Sequence, residues 1–177
     1  DEFEENRNNK IYDWQNNRNP FIDHPEYVNR IWGTDSVPTT SSTASLIISE
    51  YIEGSSNNKA LELYNTSLDT VDLSNYKILK ITNGGSWDEQ TFYLTGFLGP
   101  NSTYVLSHSS ASSTINDVSD VQVNLNHNGN DALALSFNDS IIDQIGMEGD
   151  SPSEGWFVAG VSTATKNHTL RRKLTFT

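Results

Sequence analysis

The residues of this chain best suited by type to do chemistry are Asp23, His24 and Glu26, with Arg18 a few positions upstream. Carboxylates and an imidazole in one segment are the groups that bind a divalent cation or move a proton. Their adjacency argues for another role. Consecutive residues at a helix start point in different directions. Asp23, Pro25 and Glu26 also have the spacing of a capping box, with Asp23 at the N-cap, Pro25 in the first turn and Glu26 three residues on. Both carboxylates then serve backbone N–H groups that have no acceptor within the helix. A structural helix start is the first reading of this set, and catalysis the second.

The other candidates are more dispersed. His108 lies between Ser107 and Ser109, but no G-x-S-x-G elbow precedes it and no acid is positioned to orient it. The segment Asn126 to Asp131 offers several oxygen atoms. It holds one carboxylate and lacks the acidic spacing of a twelve-residue calcium loop, so a turn capped by Asp131 is expected. His127 and His168 stand too far from other ligand types to mark a zinc set, and the absence of cysteine excludes disulfides, thiolate metal sites and cysteine nucleophiles. Among these groups neither a catalytic residue nor a metal ligand is assigned, and no cofactor is expected in these residues.

Three residues are candidates for binding. Trp87 sits in GGSWDE, between turn glycines and acids, where an aromatic either contributes to a surface or folds back over its own loop. Arg171 and Lys173 flank Arg172 in the chain's one basic cluster; alternation on a strand would place Arg172 on the opposite face. A short charged run of this kind also serves as a solvated face or an edge guard. Trp156, Phe157, Tyr104 and Leu133 are expected in the core, on the buried side of alternating strands.

The elements that must hold these groups change character once along the chain. Over residues 2 to 17, Phe3, Arg7, Ile11 and Trp14 recur at spacings of three and four, which predicts an amphipathic helix. Pro20 interrupts it, and Tyr27, Val28, Ile31 and Trp32 supply the apolar side of a second, shorter helix. From Gly33 to Ser45 small polar residues predict a linker. The period then becomes two, with Ile47, Ser49 and Tyr51 alternating with Leu46, Ile48 and Glu50, and Leu61 and Leu63 alternating with Glu62 and Tyr64. Further strands are expected at 76–81, 91–94, 103–107, 120–125, 132–137, 141–145, 156–159 and 169–176. Turn-rich segments such as TNGGS and NHNGN separate them. Many short strands without helices between them point to a mainly β fold, an antiparallel β-sandwich behind a short N-terminal helical segment.

Composition agrees with one folded domain and a short appendage. The 177 residues are 34% apolar, which is enough for one core. No run of about 18 apolar residues is present, so no membrane-spanning helix is expected. The acidic start Asp1 to Glu5 is no signal peptide, so any export signal is expected upstream. Net charge is −12, with 4 basic against 8 acidic residues up to Ala44 and 7 against 15 after it. Such a field opposes binding of nucleic acid by the sandwich, because phosphate neutralisation needs clustered Lys and Arg.

Two segments resemble known families. LIISEYIEGSSNNKALELYN (Leu46 to Asn65) resembles the opening of the lamin tail domain, and the likeness continues through VDLSNYKI, NGNDALALS, IIDQIG and GWFVAGVSTATKNHTLRRK. It spans residues 45–177 and implies an immunoglobulin-like sandwich of the kind found in nuclear lamins and secreted bacterial proteins. In that family a further segment usually follows the strand corresponding to LRRK. The front, DEFEENRNNKIYDWQNNRNPFIDHPEYVNRIWG, resembles the C-terminal end of the bacterial endonuclease I family. That resemblance implies a magnesium-dependent core with a catalytic histidine upstream of these residues, and carries no catalytic residue onto them.

The expected organisation is therefore a helical remnant at 1–33, a linker at 34–44 and a sandwich at 45–177. The expected function is the noncatalytic C-terminal region of a secreted bacterial nuclease, with the sandwich attaching to an unknown protein or cell-surface ligand through loops or a sheet edge. The rival readings are residual metal-dependent nuclease activity through Asp23, His24 and Glu26, and a structural spacer. The apolar face of the first helix is expected to seek a partner surface, either the sandwich or a second copy in a dimer.

Overall fold

A computed structural model describes residues 43–173 together with Asn6, Arg7, Asn9 and Lys10, which are helical and exposed. The chain divides into two units, Asp1–Thr39 and Thr40–Thr177. The remainder of the expected N-terminal helices, the linker as far as Ser42, the set Asp23, His24 and Glu26, and the end of the last expected strand lie outside the described residues.

Among the described residues the second unit has eleven strands: β1 (Leu46–Glu53), β2 (Lys59–Asn65), β3 (Val71–Asp72), β4 (Tyr76–Ile81), β5 (Gln90–Tyr93), β6 (Phe97–Leu98), β7 (Thr103–His108), β8 (Val121–Val123), β9 (Ala132–Phe137), β10 (Ser140–Ile145) and β11 (Thr169–Arg171). They form one sheet in the order β11-β1-β2-β7-β8, another in the order β10-β9-β4-β5, and a small pair β3-β6. The core lies between the larger sheets. Leu46, Ile48, Tyr51, Leu61, Leu63 and Leu106 from the first meet Tyr76, Ile78, Leu133 and Leu135 from the second, all nearly inaccessible to water. Each such side chain contributes about 1.5–3 kcal/mol of burial. The fold is the mainly β sandwich that the strand pattern predicts, of the immunoglobulin-like type that the lamin tail resemblance implies.

Four local expectations are corrected. First, β1 does not keep one phase: Leu46, Ile48 and Tyr51 are all buried, while Ile47 is only half-buried. A bulge between Ile48 and Glu50 inserts an extra residue against β2 and moves Tyr51 onto the core face. Secondly, β8 runs parallel to β7. The chain returns through a helical turn at Ser113–Asn116, so not every pair is antiparallel. Thirdly, residues 156–159 form no strand and make only an isolated bridge between Val158 and Val161. Fourthly, Phe157 is not in the core, being 71% exposed.

Outside the four-stranded sheet a second, smaller core forms. Ile81 pairs with Ala132, on the face turned away from the main core, and Trp156 covers both. Alanine at 132 and 134 leaves room against the sheet, where larger side chains would hold the indole off. Gly146 completes the seat. Its φ is +85°, and a Cβ there would stand 2.6 Å from the Trp156 ring, so both backbone and space require glycine.

Candidate functional site

Among the described residues a cleft of about 850 Å³ lies beside β11. Its walls are the outer part of β1 (Ile48 to Tyr51), the end of β10 with Gly146 and Met147, the loop from Trp156 to Ala164, and β11 with its neighbours His168, Arg172 and Lys173.

The loop is held at its base and free at its tip. At the base, the Trp156 N–H donates to the Thr165 hydroxyl at 2.8 Å, and the Trp156 indole N–H donates to the Asp131 carbonyl at 3.0 Å. The Tyr51 hydroxyl donates to the Thr165 carbonyl at 3.2 Å. At the tip, Val158 and Val161 exchange N–H to O bonds of 3.0 and 2.9 Å around Ala159 and Gly160. Both turn residues have positive φ, 50° and 88°, the pattern of the tight hairpin turn that follows strand twist. Alanine in that region is held against its preference. The result is a rigid tip presenting Phe157 and Val161, 71% and 57% exposed, with Met147 across the cleft at 52%.

One rim is cationic. Arg171 is exposed and pairs through its guanidinium with Glu50, at 2.9 and 3.0 Å. Arg172 turns the other way and grips Asp143 of β10 through two bonds of 2.8 Å from one nitrogen. Its Nε donates to the Ile48 carbonyl at 3.0 Å, and the Ile48 N–H donates to Asp143 at 2.9 Å. Next to the backbone bond from Arg172 to Ser49, side chains thus occupy both polar groups of Ile48 and tie the two sheets together. Lys173 is exposed on the same lining. The opposite facings of Arg171 and Arg172 follow the alternation read from sequence, although the strand itself ends at Arg171.

Trp87 takes no part in this cleft. It is half-buried and packs against the second core formed by Ile81, Ala132 and Trp156. Its N–H donates to Glu148 at 3.0 Å. Conversely, sequence reasoning missed Met147, Phe157 and Val161. The local hint was Gly160 between two valines, a residue that permits a tight turn, while nothing near Met147 marked it.

The remaining chemistry-bearing groups are engaged in structure. Ser107 donates to Asn116 at 2.7 Å, while Nδ1 of His108 accepts the Ser110 N–H at 2.9 Å, so these two do not form a nucleophile and base. Asp131 is buried and caps its turn: one oxygen accepts from Asn83 N–H at 3.0 Å and the other from Asn128 N–H at 2.7 Å. The Lys80 ammonium stands 4.0 Å away, and burial holds its pKa below the ordinary lysine value. Glu53 accepts from both Lys59 and the Asn167 N–H. His127 is fully buried, its ring 4.9 Å from that of Tyr51 and its Nε2 donating to the Ile52 carbonyl at 3.0 Å. Burial pushes its pKa down to about 3, so it is neutral at pH 7. Among the described residues no group of three or more His, Asp or Glu is placed to hold a metal ion.

Two segments of the chain match known families. Residues 1–26 match the Endonuclease I family model. A stretch of 33 residues is 61% identical to an extracellular ribonuclease of Bacillus amyloliquefaciens, covering 18% of this chain and 11% of that protein. The chain thus spans about a tenth of the length of this curated relative. Residues 39–149 match the lamin tail domain model, whose last matched residue precedes the hairpin tip. With most of the strands and the main core inside that match, the chain belongs to the lamin tail domain family.

Proposed function

We propose that this chain is the noncatalytic C-terminal region of an exported bacterial nuclease, whose sandwich attaches the enzyme to a surface or partner. The observation that carries this reading is the exposed apolar tip at Phe157 and Val161, held by buried hydrogen bonds at Trp156 and Thr165. Single exposed apolar residues are ordinary, but Phe157, Val161 and Met147 are gathered on one cleft, and such a cluster marks an interaction surface. The endonuclease I match at residues 1–26 and the extracellular ribonuclease likeness support the nuclease and the export. With 7 basic against 15 acidic residues after Ala44, the sandwich is a poor ligand for nucleic acid, so attachment to substrate is disfavoured against attachment to protein or cell surface.

Two experiments test the reading. Supercoiled plasmid is incubated in magnesium, with and without EDTA, with this chain and with a version extended upstream. Cutting by the longer protein alone is expected. EDTA-sensitive cutting by this chain would overturn the noncatalytic assignment and make Asp23, His24 and Glu26 the residues to substitute. In the second, the labelled whole chain is incubated with washed bacterial cells. Retention that Phe157→Ala and Val161→Ser lower together is expected, whereas retention unchanged by both, or none at all, would leave the sandwich as a spacer.

A further inference from the structure

The cleft's occupant can be given a chemistry from its backbone edge and its charge. β11 is the outermost strand of its sheet among the described residues. Its register with β1 pairs Tyr51 with Leu170. Flanking bonds run from the Glu53 N–H to the His168 carbonyl and from the Arg172 N–H to the Ser49 carbonyl. In an antiparallel ladder, residues alternate between bonding inward and pointing outward. His168, Leu170 and Arg172 are used on β1, so Thr169 and Arg171 direct their N–H and C=O groups away from the sheet. This leaves an open edge able to hydrogen-bond another strand.

The surroundings of that edge are unlike the rest of the protein. On a chain of net charge −12, the cleft lining holds Arg171, Arg172 and Lys173 against one lining carboxylate, Glu50, with Asp143 paired to Arg172 at its margin. Its remaining wall is largely apolar, with Met147, Phe157 and Val161 exposed. A ligand that matches all three features has a backbone to pair, apolar side chains to insert and negative charges between them.

We propose that β11 and the cleft bind an extended peptide of a partner protein, in which apolar and acidic residues alternate, as an added strand on the five-stranded sheet. Main-chain bonds to Thr169 and Arg171 hold the peptide in register. Alternate side chains then fall on opposite faces: apolar ones against Phe157 and Met147, acidic ones toward Arg171 and Lys173. This rests on the attachment reading and adds the identity of what is attached.

The test is fluorescence anisotropy of the whole chain with a short labelled peptide alternating valine and glutamate around one phenylalanine. A lysine-for-glutamate version and a version N-methylated at alternate backbone nitrogens serve as controls. Binding of the first peptide is expected, with both controls about tenfold or more weaker. Phe157→Ala is expected to weaken it about tenfold. Arg171→Ser should weaken it several-fold and flatten its salt dependence. Thr169→Pro removes one outward N–H without touching the bonds to β1, and proline is tolerated at such an edge position. It should weaken binding about tenfold while the thermal unfolding curve stays close to that of the parent. Equal binding of the methylated and unmethylated peptides, or of the lysine version, would overturn the proposal. So would no peptide binding by a chain that still adheres to washed cells, an outcome that leaves the attachment reading in place; loss of both would remove both.

Discussion

Trp156 and Phe157 are neighbours in sequence with opposite fates: one is 8% exposed and the other 71%. Trp156 has an alanine-lined seat, a glycine beneath its ring and a carbonyl acceptor for its N–H. Phe157 follows it out of that seat into a hairpin tip, where nothing on the sandwich receives it. Apolar character alone does not bury a residue. A site of matching shape must exist, and where none does, an exposed aromatic on a braced loop becomes available for binding.

The largest effect that would break this contrast comes from Trp156→Ala. It removes the cover of the second core and one hydrogen bond to the Asp131 turn, and is expected to cost about 3–5 kcal/mol, read by urea unfolding. If the loss is under about 1 kcal/mol, the loop's base does not hold its tip.

The base is also expected to weaken in acid through His127, which lies against Tyr51 beneath the same segment. Its folded pKa of about 3 is below the unfolded value of about 6.5. Between these values the unfolded chain takes up a proton that the folded chain does not. The stabilisation is therefore full above pH 6.5 and is lost as pH falls toward 3, reaching about 2 kcal/mol of loss by pH 5. Unfolding of the parent and of His127→Phe at several pH values measures it. Parallel curves between pH 6.5 and 5 would show that this imidazole is not held neutral.

The inter-sheet clamp is a smaller contributor. Arg172→Ala removes the two hydrogen bonds to Asp143 and the donor to Ile48, and is expected to cost about 1–2 kcal/mol. Arg171→Ala removes only an exposed pair with Glu50 and should cost under about 1 kcal/mol. Equal losses would mean that facing toward the other sheet adds nothing. Smallest of all, Phe157→Ala should leave stability within about 0.5 kcal/mol of the parent while it lowers retention on cells. A stability loss like that of Trp156→Ala would place Phe157 in the core after all.

Much of the fold was legible in the chain. The alternation of Leu61 and Leu63 with Glu62 and Tyr64 survives in β2, because a regular strand with one face buried has no other register open to it. The phase of β1 was not legible. The bulge at Ser49 is set by how β1 meets β2 across the sheet, which no local pattern records. Of the binding candidates, Arg171 and Lys173 reach the cleft lining, while Trp87 settles against Trp156.

The strand-rich class, the strand period that begins after Ala44, the acidic field and the two family resemblances were all readable from the chain alone. These depend on composition and on spacing within single segments. Tertiary structure alone decided which of two adjacent aromatics is buried, which face Tyr51 takes and where a cationic rim meets an apolar tip. Each depends on residues distant in the chain arriving at one place: Gly146 and Asp131 at Trp156, and Asp143 at Arg172.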